Sequence, residues 1–277
     1  MIIDTHVHVV AGDEQRYPLQ PPGVGGQWYL EPDLDVESYR ARMAGAGVDA
    51  AVLVQAFGAY GYDNRYVLDA ARSDPAHLAG VCIVDVHAPA AAEALRRLVL
   101  DHGATGLRLF ALRRPGDAQP DWLDDPVTFP LWEEARALAI CIVVTAFASQ
   151  LPRLGVVLSR FPDVQVLLDH SGFVDPASSA PELLALAPHA NLHLKVTSHL
   201  LEVAPGGGRE FVSRLATAFG SRRLLWGSDH PQTHDRPYAE LVELGRTACG
   251  DLPPADQALF LGGNAHRLWP GLLADDR

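Results

Sequence analysis

His6 and His8 stand two residues apart, just after the apolar run Met1-Ile2-Ile3. On an extended strand such residues project to one side, so both imidazoles can converge on a single metal ion or oxyanion. Two hydrogen-bonded histidines closing a strand would look the same, and the spacing alone does not separate these readings. Three other segments bring polar groups to the ends of apolar runs: Arg108 in Gly106-Leu107-Arg108, Asp169-His170 after Val164–Leu168, and Gly227-Ser228-Asp229-His230 after Arg223–Trp226. Gln55 ends another such run, and Lys195 and Thr197 lie within a further one.

These residues need a frame that gathers strand ends. Short β-branched or apolar runs recur at Ile2–Thr5, Ala50–Gln55, Leu78–Val84, Thr105–Phe110, Ile140–Ala146, Val164–Asp169, Leu192–Thr197 and Arg223–Gly227. Helical spacing falls between and after them, at Val36–Gly45, Asn64–Ser73, Ala90–His102, Phe129–Leu138, Leu151–Arg160, Pro181–His189, Glu210–Phe219 and Tyr238–Ala248. Eight strands alternating with eight helices predict an α/β fold, a (β/α)8 TIM barrel formed by residues 1–277 as a single domain. An open doubly wound sheet is the alternative, but no Gly-rich phosphate loop follows the first strand. In a closed barrel His6, His8, His170 and Asp229 all approach one axis, which strengthens the case for a metal or catalytic site. Two segments fall outside the repeat, Gly12–Pro32 after strand one and Arg113–Pro126 after strand four. Loops in these positions serve as lids or substrate walls, or are merely tolerated insertions.

Composition narrows the partners. The 277 residues are 48% hydrophobic and 20% charged, enough for a sizeable core without staples. A net charge of −12 argues against nucleic acid as a partner. No apolar stretch approaches a membrane span, and Met1-Ile2-Ile3 follows no basic segment, so a cytoplasmic protein with no membrane role is expected. Cys82, Cys141 and Cys249 are isolated, without CxxC spacing, which fits a reducing compartment.

The ordered set His-x-His, Asp-His-Ser-Gly, Gly-Ser-Asp-His-Pro and a closing Gly-Asn-Ala-His-Arg-Leu resembles the amidohydrolase superfamily over nearly the whole chain. The run Val54–Asn64, followed by Gly106-Leu107-Arg108, looks like its branch of 2-pyrone-4,6-dicarboxylate lactonase and the sugar lactonases. The resemblance implies a hydrolase that opens a lactone or similar cyclic ester. Asp229 would be the general base, and His6, His8 and His170 would hold a metal with Asp229 or polarise the carbonyl directly. Arg108 and Arg114 match two arginines of the dicarboxylate lactonase and are candidate substrate anchors, with Tyr29, Gln55 and Thr145 as further substrate contacts. Arg114 read by itself is equally a solvated loop charge. Thr145 stands where relatives with a firm metal site carry a histidine, and strand four offers no bridging Lys or Glu. The expectation is therefore at most one divalent ion, zinc or manganese, with metal-independent catalysis as the other reading. Phe57 in place of an expected serine predicts a pocket more apolar on one side. The substrate would be a small molecule, an anionic or sugar-like lactone, and a homo-oligomer is compatible with the sequence. A metal-dependent decarboxylase of an aromatic or unsaturated acid is the alternative activity, weakened by Thr145. Lys195 is either a substrate contact or the partner of a buried carboxylate.

Overall fold

The computed structural model describes residues 1–24, 26–112, 121–232 and 236–274. Eight parallel strands run in sequential order: β1 (Ile3–Val7), β2 (Ala50–Val54), β3 (Leu78–Ile83), β4 (Gly106–Phe110), β5 (Cys141–Thr145), β6 (Val166–Leu168), β7 (Leu192–Thr197) and β8 (Leu224–Gly227). Beyond the ends of β8 and β1 the chain closes on itself, with Asp229 N donating to His6 O at 2.9 Å and His8 N to His230 O at 2.8 Å. This is the expected (β/α)8 barrel, and almost every strand residue is buried, as a sheet covered on both faces requires. Ile3, Val52, Val54, Val81, Val143, Leu167 and Leu225 form the inner core, which Trp269 and Leu272 join from the end of the chain. Alternate residues such as Leu53, Leu107 and Leu194 face the helices.

The outer helices match the periodic segments closely, with one exception. The segment expected to be helical over Pro181–His189 is helix only over Pro181–Leu184. Pro188 removes a backbone donor and disfavours helical backbone at Ala187, so the run breaks into turns. Among the described residues no helix is long and apolar enough to cross a membrane.

A local irregularity in β1 aims the histidines. The register against β2 shifts between Asp4 and Val7, the mark of an extra residue in one strand. Ile3 joins the inner core, whereas Asp4 turns outward to accept hydrogen bonds from Tyr238 (2.9 Å) and the Ser228 backbone (2.8 Å). After the shift His6 and His8 point inward. The seam leaves no space at Gly227, where a Cβ would meet His6 Cβ at 2.9 Å and His6 N at 3.0 Å. Gly227→Ala is therefore expected to cost about 1–3 kcal/mol through overpacking, measured as a lower denaturation midpoint in urea. An unchanged midpoint would show that the seam can part.

Candidate active site

The C-terminal ends of the strands surround a cavity of about 690 Å³ whose floor carries Arg108, Thr145, His170 and Asp229. His6 and His8 lie just beneath, fully buried. Two backbone distortions present the floor groups. After β6 the residues His170, Ser171, Gly172 and Phe173 all have positive φ, between 46° and 73°, and Asp229 has φ 61°. Each non-glycine residue so held costs about 1–2 kcal/mol, and strain of this kind concentrates at functional sites.

Hydrogen-bond partners fix the imidazole tautomers. His6 Nδ1 lies 3.0 Å from Asp169 Oδ1, and His8 Nδ1 lies 2.8 Å from the Val54 carbonyl oxygen. Both partners only accept, so each ring carries its proton on Nδ1. Burial outweighs the pull of Asp169 and keeps His6 well below its usual imidazole value, while burial and the Arg108 guanidinium push His8 down to about 3. Both rings are neutral at pH 7, and both Nε2 atoms present bare lone pairs. These two atoms face each other at 3.2 Å, with Asp229 Oδ1 at 3.6 and 3.8 Å from them. Asp229 Oδ1 is buried and has no hydrogen-bond partner among the described residues. Three converging acceptors require a cation or a proton between them. Ligands around one tetrahedral zinc stand about 3.3 Å apart, close to the separations seen here. The residues therefore fit a single divalent ion, and His170 can join the set: a ligand atom each from His6, His170 and Asp229 lies within 4.8 Å of the others.

Asp169 organises this cluster from below. It accepts from His6, from Thr145 Oγ1 at 2.7 Å and from Arg108 Nε at 3.3 Å, and Lys195 Nζ lies 3.2 Å from it. Burial alone would raise its carboxyl, but His6, Lys195 and Arg108 together hold it well below the usual carboxylate range. It is thus an anion balancing two buried cations. Asp229 is the opposite case, with burial pushing its carboxyl well above the ordinary range against the pull of Arg108. His170 is lowered to about 3 by burial, and its Nδ1 lies 2.8 Å from Thr197 Oγ1.

The other residues singled out from the sequence divide. Arg108 and Thr145 line the cavity, but Arg108 Nε also donates to Thr145 Oγ1 at 2.9 Å and its Nη1 to the Gln55 carbonyl at 3.4 Å, so its fork is partly committed to protein. Gln55, expected at the substrate, instead points away from the cavity and donates to the carbonyls of Gly61 and Asp63, holding the loop after β2. Tyr29, also expected there, lines a separate depression outside the cavity. It is the neighbouring Trp28 that reaches the cluster, its ring 5.5 Å from that of His8, because the turn at Trp28–Leu30 sends adjacent side chains different ways. Arg114 lies outside the described residues. Lys195 does not line the cavity, and of its two readings the buried ion pair is the one found. The sequence pattern assigns Asp169 no role of its own. The sequence signal for it is Lys195, a cation set between Leu194 and Val196 within a strand, which demands a buried anion nearby.

The comparisons with known proteins agree with this picture. The amidohydrolase family model matches residues 3–271, and the chain belongs to that family. It is a hydrolase. The chain is 28% identical over 279 residues to the L-fucono-1,5-lactonase of Burkholderia ambifaria, covering 95% of this chain and 93% of that protein. Among solved structures it resembles a Pseudomonas putida protein provisionally assigned as a 2-pyrone-4,6-dicarboxylic acid hydrolase, with TM-score 0.80, 23% identity and 99% and 98% of the two chains covered. A zinc-bound amidohydrolase from Burkholderia multivorans gives TM-score 0.76, 22% identity and 98% and 99% coverage. The 5-carboxyvanillate decarboxylase of Sphingomonas paucimobilis gives 0.70, 17% identity and 97% and 98% coverage. At these identities the solved structures show the shared fold.

Proposed function

We propose that the protein opens a lactone by hydrolysis, with Asp229 as general base. The observation that carries this reading is the unpartnered Asp229 Oδ1, aimed at the Nε2 lone pairs of His6 and His8 in the floor of the cavity. A group in that place can accept a proton from water as the water oxygen bonds to the ester carbonyl carbon. The ring C–O bond then breaks, and Asp229 returns the proton to the departing alkoxide, leaving an open-chain hydroxy acid. His6, His8, His170 and Asp229 would hold one zinc or manganese ion, which when bound supplies a Lewis acid for the carbonyl and favours the ionised form of Asp229. Arg108 and Thr145, at the edge of the same floor, would contact the substrate's oxygen atoms. The likeness over 95% of the chain to an L-fucono-1,5-lactonase supports a lactone as the substrate class.

The test is turnover of a panel of sugar lactones and pyrone carboxylates, followed by acid release in a weakly buffered indicator. Ring opening in at least one class is expected. If none opens while an aromatic acid releases carbon dioxide, the decarboxylase reading replaces this one. The metal reading has its own check. Purified protein dialysed against zinc or manganese and then against metal-free buffer should retain no more than one equivalent by elemental analysis, and a chelator should lower activity. Two retained ions would contradict the ligand set, and full activity without metal would overturn the metal reading.

A further inference from the structure

The walls of the cavity differ in character from its floor. Above Arg108, Thr145, His170 and Asp229 the cavity is lined by aromatic rings from several strand ends. Phe57, after β2, lies 5.0 Å from Phe110 at the end of β4, and Phe110 in turn lies 4.9 Å from the Arg108 guanidinium. Phe147, after β5, lies 5.4 Å from Phe173, which follows β6 and lies 4.5 Å from the His170 ring. In an eight-stranded barrel β2 and β6 stand opposite each other, so the rings face the cavity from both sides.

This arrangement is a poor match for a polyhydroxylated or doubly charged ring. Hydroxyls lying against Phe57, Phe110, Phe147 and Phe173 would lose water without gaining a partner from those rings, and would depend on the few polar groups of the wall, Tyr62, His87, His199 and Gln232. Among the described lining residues Arg108 is the one Lys or Arg, so a second substrate carboxylate would find no second cationic side chain among them. The volume, about 690 Å³, lies within the roughly 300–1,000 Å³ usual for drug-sized ligands and exceeds what a bare lactone ring fills.

We propose that the substrate is a lactone bearing a large apolar substituent: the ester ring rests on the floor and the apolar group lies between the Phe57–Phe110 and Phe147–Phe173 pairs. The proposal rests on the lactonase reading and narrows it to a substrate class. Phe57 and Phe173 are specificity-determining residues in this account, and the Arg108 guanidinium beneath the Phe110 ring marks the boundary between polar floor and apolar wall.

The experiment compares kcat/KM for δ-hexalactone, δ-decalactone and δ-dodecalactone, which share one ring and differ in alkyl length, with glucono-δ-lactone and 2-pyrone-4,6-dicarboxylate. Transfer of each methylene from water is worth about fourfold, so the step from methyl to pentyl should raise kcat/KM at least about tenfold, mostly through KM. Phe57→Ser should reduce that decalactone-to-hexalactone ratio several-fold, whereas Phe57→Leu, which keeps apolar surface, should largely retain it. A flat chain-length series with efficient glucono-δ-lactone or pyrone hydrolysis would overturn the proposal and leave the lactonase reading intact. Failure of every lactone, in protein shown to be folded by circular dichroism, would remove both.

Discussion

Asp229→Asn lowers kcat for lactone hydrolysis by about 10²–10⁴-fold, the usual contribution of a positioned general base. The substitution keeps the side chain's shape and exchanges one oxygen for an amide nitrogen. Among the described residues Asp229 Oδ1 has no hydrogen-bond partner to lose, so the folded state should tolerate the change. What disappears is the basic lone pair that faces His6 and His8 at 3.6 and 3.8 Å. Stability and activity should therefore separate in this variant: a circular dichroism melt close to that of wild type, with turnover nearly abolished. If kcat stays within a few-fold of wild type, the base lies elsewhere, and His170, whose Nδ1 is 3.9 Å from Asp229 Oδ2, becomes the candidate.

Asp169→Asn should be damaging in both respects. The carboxylate sits against Arg108 and Lys195 with no exposure, and breaking a buried pair by removing one partner costs about 3–5 kcal/mol because the remaining charge is uncompensated. The amide also no longer holds the His6 Nδ1–H as a carboxylate does, and loss of such a supporting partner lowers metal affinity or activity by about 10–100-fold. The two effects can be separated. Adding Lys195→Met to Asp169→Asn removes one stranded cation and should recover part of the stability seen in urea denaturation, while turnover stays low. Recovery of both together would mean that Asp169 serves only the packing of the barrel.

The fold was legible because its signal is repetitive. Most strands are short runs dominated by apolar residues, and β7 falls at Leu192–Thr197, as its β-branched and apolar pattern indicates. Strand ends were also legible as polar positions, which is why His6, His8, Arg108, Thr145, His170 and Asp229 meet around one cavity floor. Contacts between strands left weaker traces. Nothing in the spacing of Asp169 shows that it meets residues of β1, β4, β5 and β7 at once. The register shift that turns Asp4 outward and His6 inward is likewise a property of the β1–β2 pair, since the sequence of β1 alone predicts simple alternation. Gln55 and Tyr29 were misplaced for a related reason. Gln55 lies just beyond the end of β2 and Tyr29 within the turn at Trp28–Leu30, where the backbone rather than strand alternation sets the side-chain direction.

The most direct test of the central claim is hydrolysis of an accepted lactone in water enriched with oxygen-18, by wild type and Asp229→Asn, with mass analysis of the hydroxy acid. Attack of water on the ester carbonyl predicts one heavy oxygen in the product's carboxylate, none in its new hydroxyl, and a rate for the Asn variant lower by at least about 10²-fold. Heavy oxygen in the hydroxyl, or labelling at an undiminished rate in the Asn variant, would contradict the account.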